Sequence, residues 1–206
     1  MILDDFKVRL MTDLDRQLVG SKVLLQSFRL IDETSRRTAA YADPRFAPFY
    51  YHLGKYVQPR KLLCVGLRLG LLPGCFLKSC DSVESILAIE AQRDTYYSPR
   101  LATKNIRQHF KGDFRFKTAS LENPSNQSPF DDDVWDMTIV DEEFDYDVCR
   151  IVLDKIWDNT AEGGLIVVDY LESAQPNGKA FRDFVKIHNR TPVEFSTRYR
   201  VGVVEK

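Results

Sequence analysis

Three features of the sequence combine residue types and spacings that could do chemistry. The first is Gly66-Leu-Arg-Leu-Gly70-Leu-Leu-Pro-Gly74, which follows the apolar run Leu62–Val65 and precedes a helical pattern. Glycines at such a turn let the backbone approach a ligand and aim a helix N-terminus at it. A tight turn with glycines kept for packing alone is the plain alternative. A dinucleotide fingerprint, Gly-x-Gly-x-x-Gly, needs its second glycine where this chain has Arg68. Bulk and charge there disfavour a pyrophosphate but matter less for a smaller ligand. The second feature is Glu90, which ends the run Ile86–Ile89, twenty residues beyond Gly70. A carboxylate at that point can accept hydrogen bonds from both ribose hydroxyls. Turn and carboxylate together indicate a nucleoside ligand. The third is the acidic set Glu122, Asp131, Asp132, Asp133, Asp136, Asp141, Glu142, Glu143, Asp145 and Asp147. A solubilising loop is the plain reading. The sharper one notes that Asp141 ends a central strand, where open α/β sheets bind ligands and the acids could hold a cation, an amine or a metal.

Other reactive residue types point away from chemistry. Cys64, Cys75, Cys80 and Cys149 form no Cys-x-x-Cys pair and have no neighbouring histidines to complete a zinc site. Cys64 and Cys149 lie within apolar runs, where a free thiol behaves as a small hydrophobe. His52, His109 and His188 fall at no strand end, which predicts structural or surface roles. Core packing accounts for Trp135 and Trp157.

The elements that must position these residues can be read from periodicity. Strands are predicted at Leu62–Val65, Ile86–Ile89, Phe114–Lys117, Met137–Val140, Leu165–Val168, Val193–Phe195 and Arg200–Val204. Helical spacing occupies Leu71–Cys80, Thr95–Phe110, Tyr146–Trp157 and Gly178–His188. Strands that are continuously apolar imply burial on both faces, as in a parallel sheet covered by helices. The alternation predicts a doubly wound α/β fold: a mostly parallel seven-stranded sheet with an antiparallel C-terminal strand. Residues 1–57 read as an N-terminal helical arm or lid, from Leu3, Phe6, Leu10, Leu14 and Leu18 through a short helix at Phe49–Val57. Residues 58–206 make the α/β domain. The Pro-, Ser- and Asn-rich stretch Glu122–Asp133 predicts a mobile loop near the ligand edge.

Composition narrows the class. The chain has 206 residues, 44% hydrophobic and 29% charged, with net charge −1, which excludes a wholly disordered or collagen-like chain. The charge also argues against an overall grip on nucleic acid. No stretch is long and apolar enough to span a bilayer, and no secretory signal is visible, so a cytoplasmic location with free thiols is expected.

With those residues set out, Leu62-Leu-Cys-Val-Gly-Leu-Arg-Leu-Gly70, Ile86-Leu-Ala-Ile-Glu90, Asp136-Met-Thr-Ile-Val-Asp-Glu-Glu-Phe-Asp-Tyr146 and Gly163-Gly-Leu-Ile-Val-Val-Asp169 resemble, in order and spacing, the class I S-adenosylmethionine-dependent methyltransferases. The nearest branch is the one of small-molecule O-methyltransferases. The resemblance covers residues 58–206 and implies a Rossmann-like fold with S-adenosylmethionine as cofactor. It implies that Gly66, Leu67, Arg68 and Gly70 line the methionine and ribose side, that Glu90 takes the ribose hydroxyls and that Ala91 borders the adenine. Ala119 and Ser120 would fall beside the adenine amino group, and Asp141 would face the methyl-transfer centre. Gly163-Gly164 would form a turn before the fifth strand.

The departures are informative. Cys64 replaces the family's first-strand acid, and Phe144 replaces a histidine. Metal-dependent relatives use a carboxylate after strand four and an Asp-Asn or Asp-Asp pair after strand five. Here Asp141 and Asp169 remain and Tyr170 takes the third position. A divalent metal is not expected, although two carboxylates plus water could hold one. For an oxygen nucleophile the candidate bases are Asp141, Glu143 and Asp169, with Tyr170 as an orienting hydroxyl. The first functional expectation is a methyltransferase acting on a small-molecule acceptor at oxygen. The second is a methyltransferase-like domain, no longer catalytic, that serves in binding or assembly, with self-association or a protein partner through the arm. The third is a nucleic-acid methyltransferase using the basic stretch Arg93–Lys117.

Overall fold

The apolar runs become strands because each is flanked by a helix on one face or the other. The computed structural model describes residues 46–67, 70–91, 99–119, 121, 129–130, 133–172, 174–197 and 200–206. In chain order these form α1 (Phe46–Val57), β1 (Lys61–Val65), α2 (Leu71–Ser79), β2 (Ser85–Ala91), α3 (Pro99–His109), β3 (Asp113–Ala119) and β4 (Trp135–Val140). The second half continues with α4 (Tyr146–Asp158), β5 (Thr160–Val168), α5 (Pro176–Ile187), β6 (Val193–Phe195) and β7 (Val201–Glu205).

The seven strands form one sheet in the order β3-β2-β1-β4-β5-β7-β6. Strands β1 to β5 run parallel, while β7 lies antiparallel to both β5 and β6. This is the doubly wound, mostly parallel sheet with an antiparallel C-terminal strand that the sequence predicts. The order reverses between β1 and β4, and the crevice at such a switch point is where open α/β sheets take ligands.

Alternation along the strands divides the core into two layers. Leu62, Cys64, Ile86, Ala88, Met137 and Ile139 pack with α1, α2 and α3. Leu63, Val65, Leu87, Ile89, Val140 and Ile166 pack with α4 and α5. All four cysteines are free and buried, as small hydrophobes. Helix α1 is part of this core: Phe49, Tyr50 and Leu53 are fully buried, and Phe49 meets Phe195 edge-on at 5.1 Å. The rest of the expected arm, residues 1–45, lies outside the described residues, as do 92–98, Arg68, Ser120 and most of the Glu122–Asp133 stretch.

Two details differ from the sequence-based expectation. Gly163-Gly164 lies inside β5 and not ahead of it, because β5 begins at Thr160, where Trp135 pairs with Thr160 before the register shifts. Gly163 takes a φ of +75° there, a conformation that favours glycine. Helix α5 begins at Pro176 and not at Gly178. Proline at the first helical position is pre-set for the helix and lacks an amide that would go unbonded anyway. Among the described residues no helix is long and apolar enough to cross a membrane.

Candidate active site at the carboxyl edge of the sheet

The strand registers bring the sequence-predicted residues into one row. Val65 pairs with Ile89 on one side and Val140 on the other, and Val140 pairs with Val168. The residues one step further are therefore Glu90, Gly66, Asp141 and Asp169, side by side across β2, β1, β4 and β5. Backbone bonds continue the ladder through that row: Gly66 donates to the Ile89 carbonyl (2.8 Å), Asp141 to that of Val65 (2.8 Å) and Asp169 to that of Val140 (2.9 Å). Four residues separated by up to 103 positions in sequence thus share one sheet edge at the switch point.

The glycine turn has a physical reason. Gly66 has φ +92°, and a Cβ there would meet the backbone carbonyl oxygen of Asp141 and approach Glu142 Cγ to 2.9 Å. Gly70, at φ +83°, caps α2, and its amide donates to the Leu67 carbonyl over 2.8 Å. The Leu67 amide donates to Glu90 Oε2 over 2.7 Å, so the carboxylate is oriented by the turn it faces. Glu90 is buried, which makes such an ordered donor necessary for a charged group. Ala91 and Ala119 pair across β2 and β3. Arg68 and Ser120 lie outside the described residues.

On the other side of the switch point, Asp141 and Asp169 are both buried, at 4% and 1% exposure. Tyr50 of α1 donates its phenol to Asp169 Oδ2 over 3.2 Å, and the Tyr170 amide donates to Asp169 Oδ1 over 2.8 Å. Burial, then the charges of Asp169 and Asp141, hold the Tyr50 phenol well above its ordinary range. Burial and then Asp141 likewise push the Cys64 thiol up. Tyr170 is buried with φ +62°, in the left-handed region. Glu143 is exposed in the short loop ahead of α4.

That loop is fixed by a residue that sequence reasoning missed. Asn177, in the first turn of α5, donates to the carbonyls of Glu142 (2.7 Å) and Asp169 (3.4 Å) and accepts from the Phe144 amide (3.0 Å). It ties the segments after β4 and β5 to one helix. Tyr50 was missed as well. The proline signal at Pro176 could have pointed to Asn177; no local signal points to Tyr50.

The acidic cluster divides between the two ends of β4. Asp136 accepts the amides of Arg60 and Lys61, each at 2.9 Å, at the amino end of the sheet. Asp133 pairs with Arg115 (2.7 Å) and Lys61 (3.6 Å), and the Arg115 hydrogen bond holds its carboxyl below the usual range. Asp145 sits at the N-cap of α4. Among the described residues of this group, only Asp141 is buried at the carboxyl edge. The histidines stand apart from the row: His52 is buried on α1, His109 ends α3, and His188 stacks on Trp157 with centroids 4.1 Å apart.

A divalent cation needs a shell of oxygen ligands, usually one or two carboxylates plus water. Asp141 and Asp169 are adjacent, but both oxygens of Asp169 already accept hydrogen bonds from Tyr50 and Tyr170. Among the described residues no three His, Cys, Asp or Glu side chains group so as to hold a metal ion.

Comparison with solved structures identifies the fold. An SAH-bound methyltransferase from Podospora anserina matches with a TM-score of 0.60 and 13% identity, over 98% of this chain and 95% of that one. The O-methyltransferase from Bacillus cereus, in complex with SAH, matches at 0.61 and 15%, covering 90% of each chain. An O-methyltransferase family protein from Burkholderia thailandensis matches at 0.65 and 14%, over 96% of this chain and 71% of its own. No protein-family profile matches the sequence, and no curated protein matches it either. The chain therefore has the Rossmann-like fold of the class I methyltransferases.

Proposed function

We propose that the protein binds S-adenosylmethionine along the Glu90–Gly66 half of the row and transfers its methyl group to a small molecule, at oxygen, beside Asp141. The observation that carries this reading is the pairing of Glu90 with the turn: a buried carboxylate, oriented by the Leu67 amide, stands next to a glycine that permits close approach. That arrangement suits a ribose, whose two hydroxyls can donate to one carboxylate. The solved structures of the same fold bound to SAH support the same ligand class.

The cofactor, when bound, supplies an already activated methyl carbon on a sulfonium. The protein then has to align an oxygen nucleophile in line with that carbon and take up its proton. The new bond is carbon to oxygen, the broken bond carbon to sulfur, and the products are the methyl ether and S-adenosylhomocysteine. Asp141 is the base we assign, since it is buried at the switch point between the two halves of the row. Asp169 is held by two donors and serves better as a fixed charge than as a proton acceptor. Glu143 and Tyr170 flank this position. Calorimetric titration with S-adenosylmethionine and S-adenosylhomocysteine, with Glu90→Ala as control, tests the reading.

One observation favours a second reading, a methyltransferase-like domain that binds or assembles without catalysis. Cys64 lies where relatives carry an acid, and its thiol, raised by burial and Asp141, cannot act as one. Failure of both ligands to bind would select this reading.

A further inference from the structure

Helix α3 carries charge of one sign only. From Thr95 to Gly112 the chain contains no Asp or Glu. Arg100, Lys104 and Arg107 recur at i, i+4 and i+7, which places them on one arc of the helix, and all three are exposed. Lys111, two residues past the helix end at His109, is exposed as well. Among the described residues none of these four cations is ion-paired. The other faces of the molecule are built differently: α4 closes Arg150 on Asp154 over 3.2 Å, and α5 closes Arg182 on Glu194 over 3.1 Å. We propose that the exposed arc of α3, continued by Lys111, docks the phosphate backbone of duplex nucleic acid without reading its sequence. This surface is separate from the carboxyl-edge row, and the inference does not rest on the ligand assigned there.

The arc is held rigidly by the opposite side of the same helix. Ala102 and Ile106 are buried in the core, and a Cβ on Gly70 would come within 3.2 Å of Ile106 Cγ1. The cations therefore keep a fixed spacing. With a rise of 1.5 Å per residue, they follow one another at about 4.5 to 6 Å along the axis, so each can meet a separate phosphate. Like charges at i,i+3 and i,i+4 repel, and Arg100 stands in the first turn, where the helix dipole disfavours a cation. A polyanion laid along the arc relieves both. The chain as a whole has net charge −1, so the rest of it is net negative and repels a polyanion elsewhere.

The composition of the face selects among polyanions. Among the described side chains, the large exposed apolar ones are Tyr56, Val134 and Ile187, none of them on α3. A membrane-surface helix needs an apolar face to bury in the lipid, and a protein interface needs an apolar centre. Unpaired bases need an aromatic side chain to stack on. Contact with a duplex backbone needs none of these, only cations at phosphate spacing.

The test measures fluorescence anisotropy of two labelled 20-base-pair DNA duplexes of unrelated sequence, titrated with the 206-residue protein at 50 to 200 mM NaCl. We expect equal micromolar affinity for both duplexes at the lowest salt. Four phosphate contacts at about 0.9 each give a slope of about −3.6 for log K against log salt. Lys104→Gln with Arg107→Gln should keep the thermal midpoint, weaken binding by about tenfold or more and flatten the slope by about two. A control pair on the other face of the sheet, Lys155→Gln with Lys186→Gln, should bind as the parent does. No binding at 50 mM NaCl, binding that ignores salt, or equal loss in both pairs overturns the proposal. Binding to phosphatidylserine vesicles without binding to either duplex also overturns it and assigns the arc to a membrane surface.

Discussion

Leu67 donates its backbone amide to the Glu90 carboxylate over 2.7 Å, and this one bond joins the glycine turn after β1 to the end of β2. Glu90→Gln keeps an acceptor for the amide but removes the charge. The fold should survive that change while S-adenosylhomocysteine binding weakens by roughly tenfold to a hundredfold, the value of a hydrogen bond to a charged group. Glu90→Ala also strands the Leu67 amide, which should lower stability by about 1–3 kcal/mol as well. Urea unfolding and calorimetry on the two variants separate these effects. Equal loss of binding and stability in both would contradict a specific role for the charge.

Gly66→Ala is expected to fail for a different reason. Its φ of +92° disfavours any side chain, and the added methyl would meet the Asp141 carbonyl oxygen. A strained backbone of this kind costs on the order of 1–3 kcal/mol, and moving β1 from β4 would disturb the switch point itself. Thermal unfolding should show a lowered midpoint, and nucleoside binding should disappear even where the variant folds.

Asn177 lies on a helix, yet three of its hydrogen bonds serve the segments after β4 and β5. Asn177→Ala should leave the Phe144 amide and the Glu142 carbonyl without it, at roughly 1–3 kcal/mol for each group that stays buried. Hydrogen exchange would be expected to rise at residues 141–146 and 169–172 and stay unchanged in β1 and β2. Uniform acceleration across the sheet would mean that Asn177 supports the whole fold.

The buried thiols give a pH dependence with a definite sign. Burial raises Cys64 and Cys75, and pushes Cys149 up to about 12, whereas an unfolded thiol titrates near 8.5. Above that pH the unfolded chain releases protons that the folded chain keeps, so stability falls as pH rises. It is fully present below about 8.5 and declines by up to about 1.4 kcal/mol per pH unit for each thiol. Urea midpoints measured from pH 7.5 to 10 should decrease over the upper half of the range. Cys75→Ser should flatten the slope. Thiol reagents should react only with the unfolded protein.

Much of the row was legible because its members end apolar runs. Leu62–Val65, Ile86–Ile89, Met137–Val140 and Leu165–Val168 are buried on both faces, so the first polar or glycine residue after each marks the carboxyl edge. Gly66, Glu90, Asp141 and Asp169 follow directly from that rule. Tyr50 does not, since its bond to Asp169 spans 119 residues and depends on how α1 packs against the sheet. An apolar helix face shows that a tyrosine is buried but not what its hydroxyl reaches. The two glycines within β5 read as a turn because a strand that bends at a left-handed glycine interrupts the apolar pattern. The acidic cluster read as one feature because sequence distance conceals the 6-residue length of β4, which sends Asp136 and Asp141 to opposite ends of the sheet.

The most direct test of the central claim is a calorimetric titration of the 206-residue protein with S-adenosylmethionine, with NAD as the control ligand. The expected result is one site per chain with micromolar affinity (about −8 kcal/mol), no heat with NAD, and loss of the signal in Glu90→Ala. Binding that persists unchanged in Glu90→Ala, or no binding of S-adenosylmethionine at all, would contradict it.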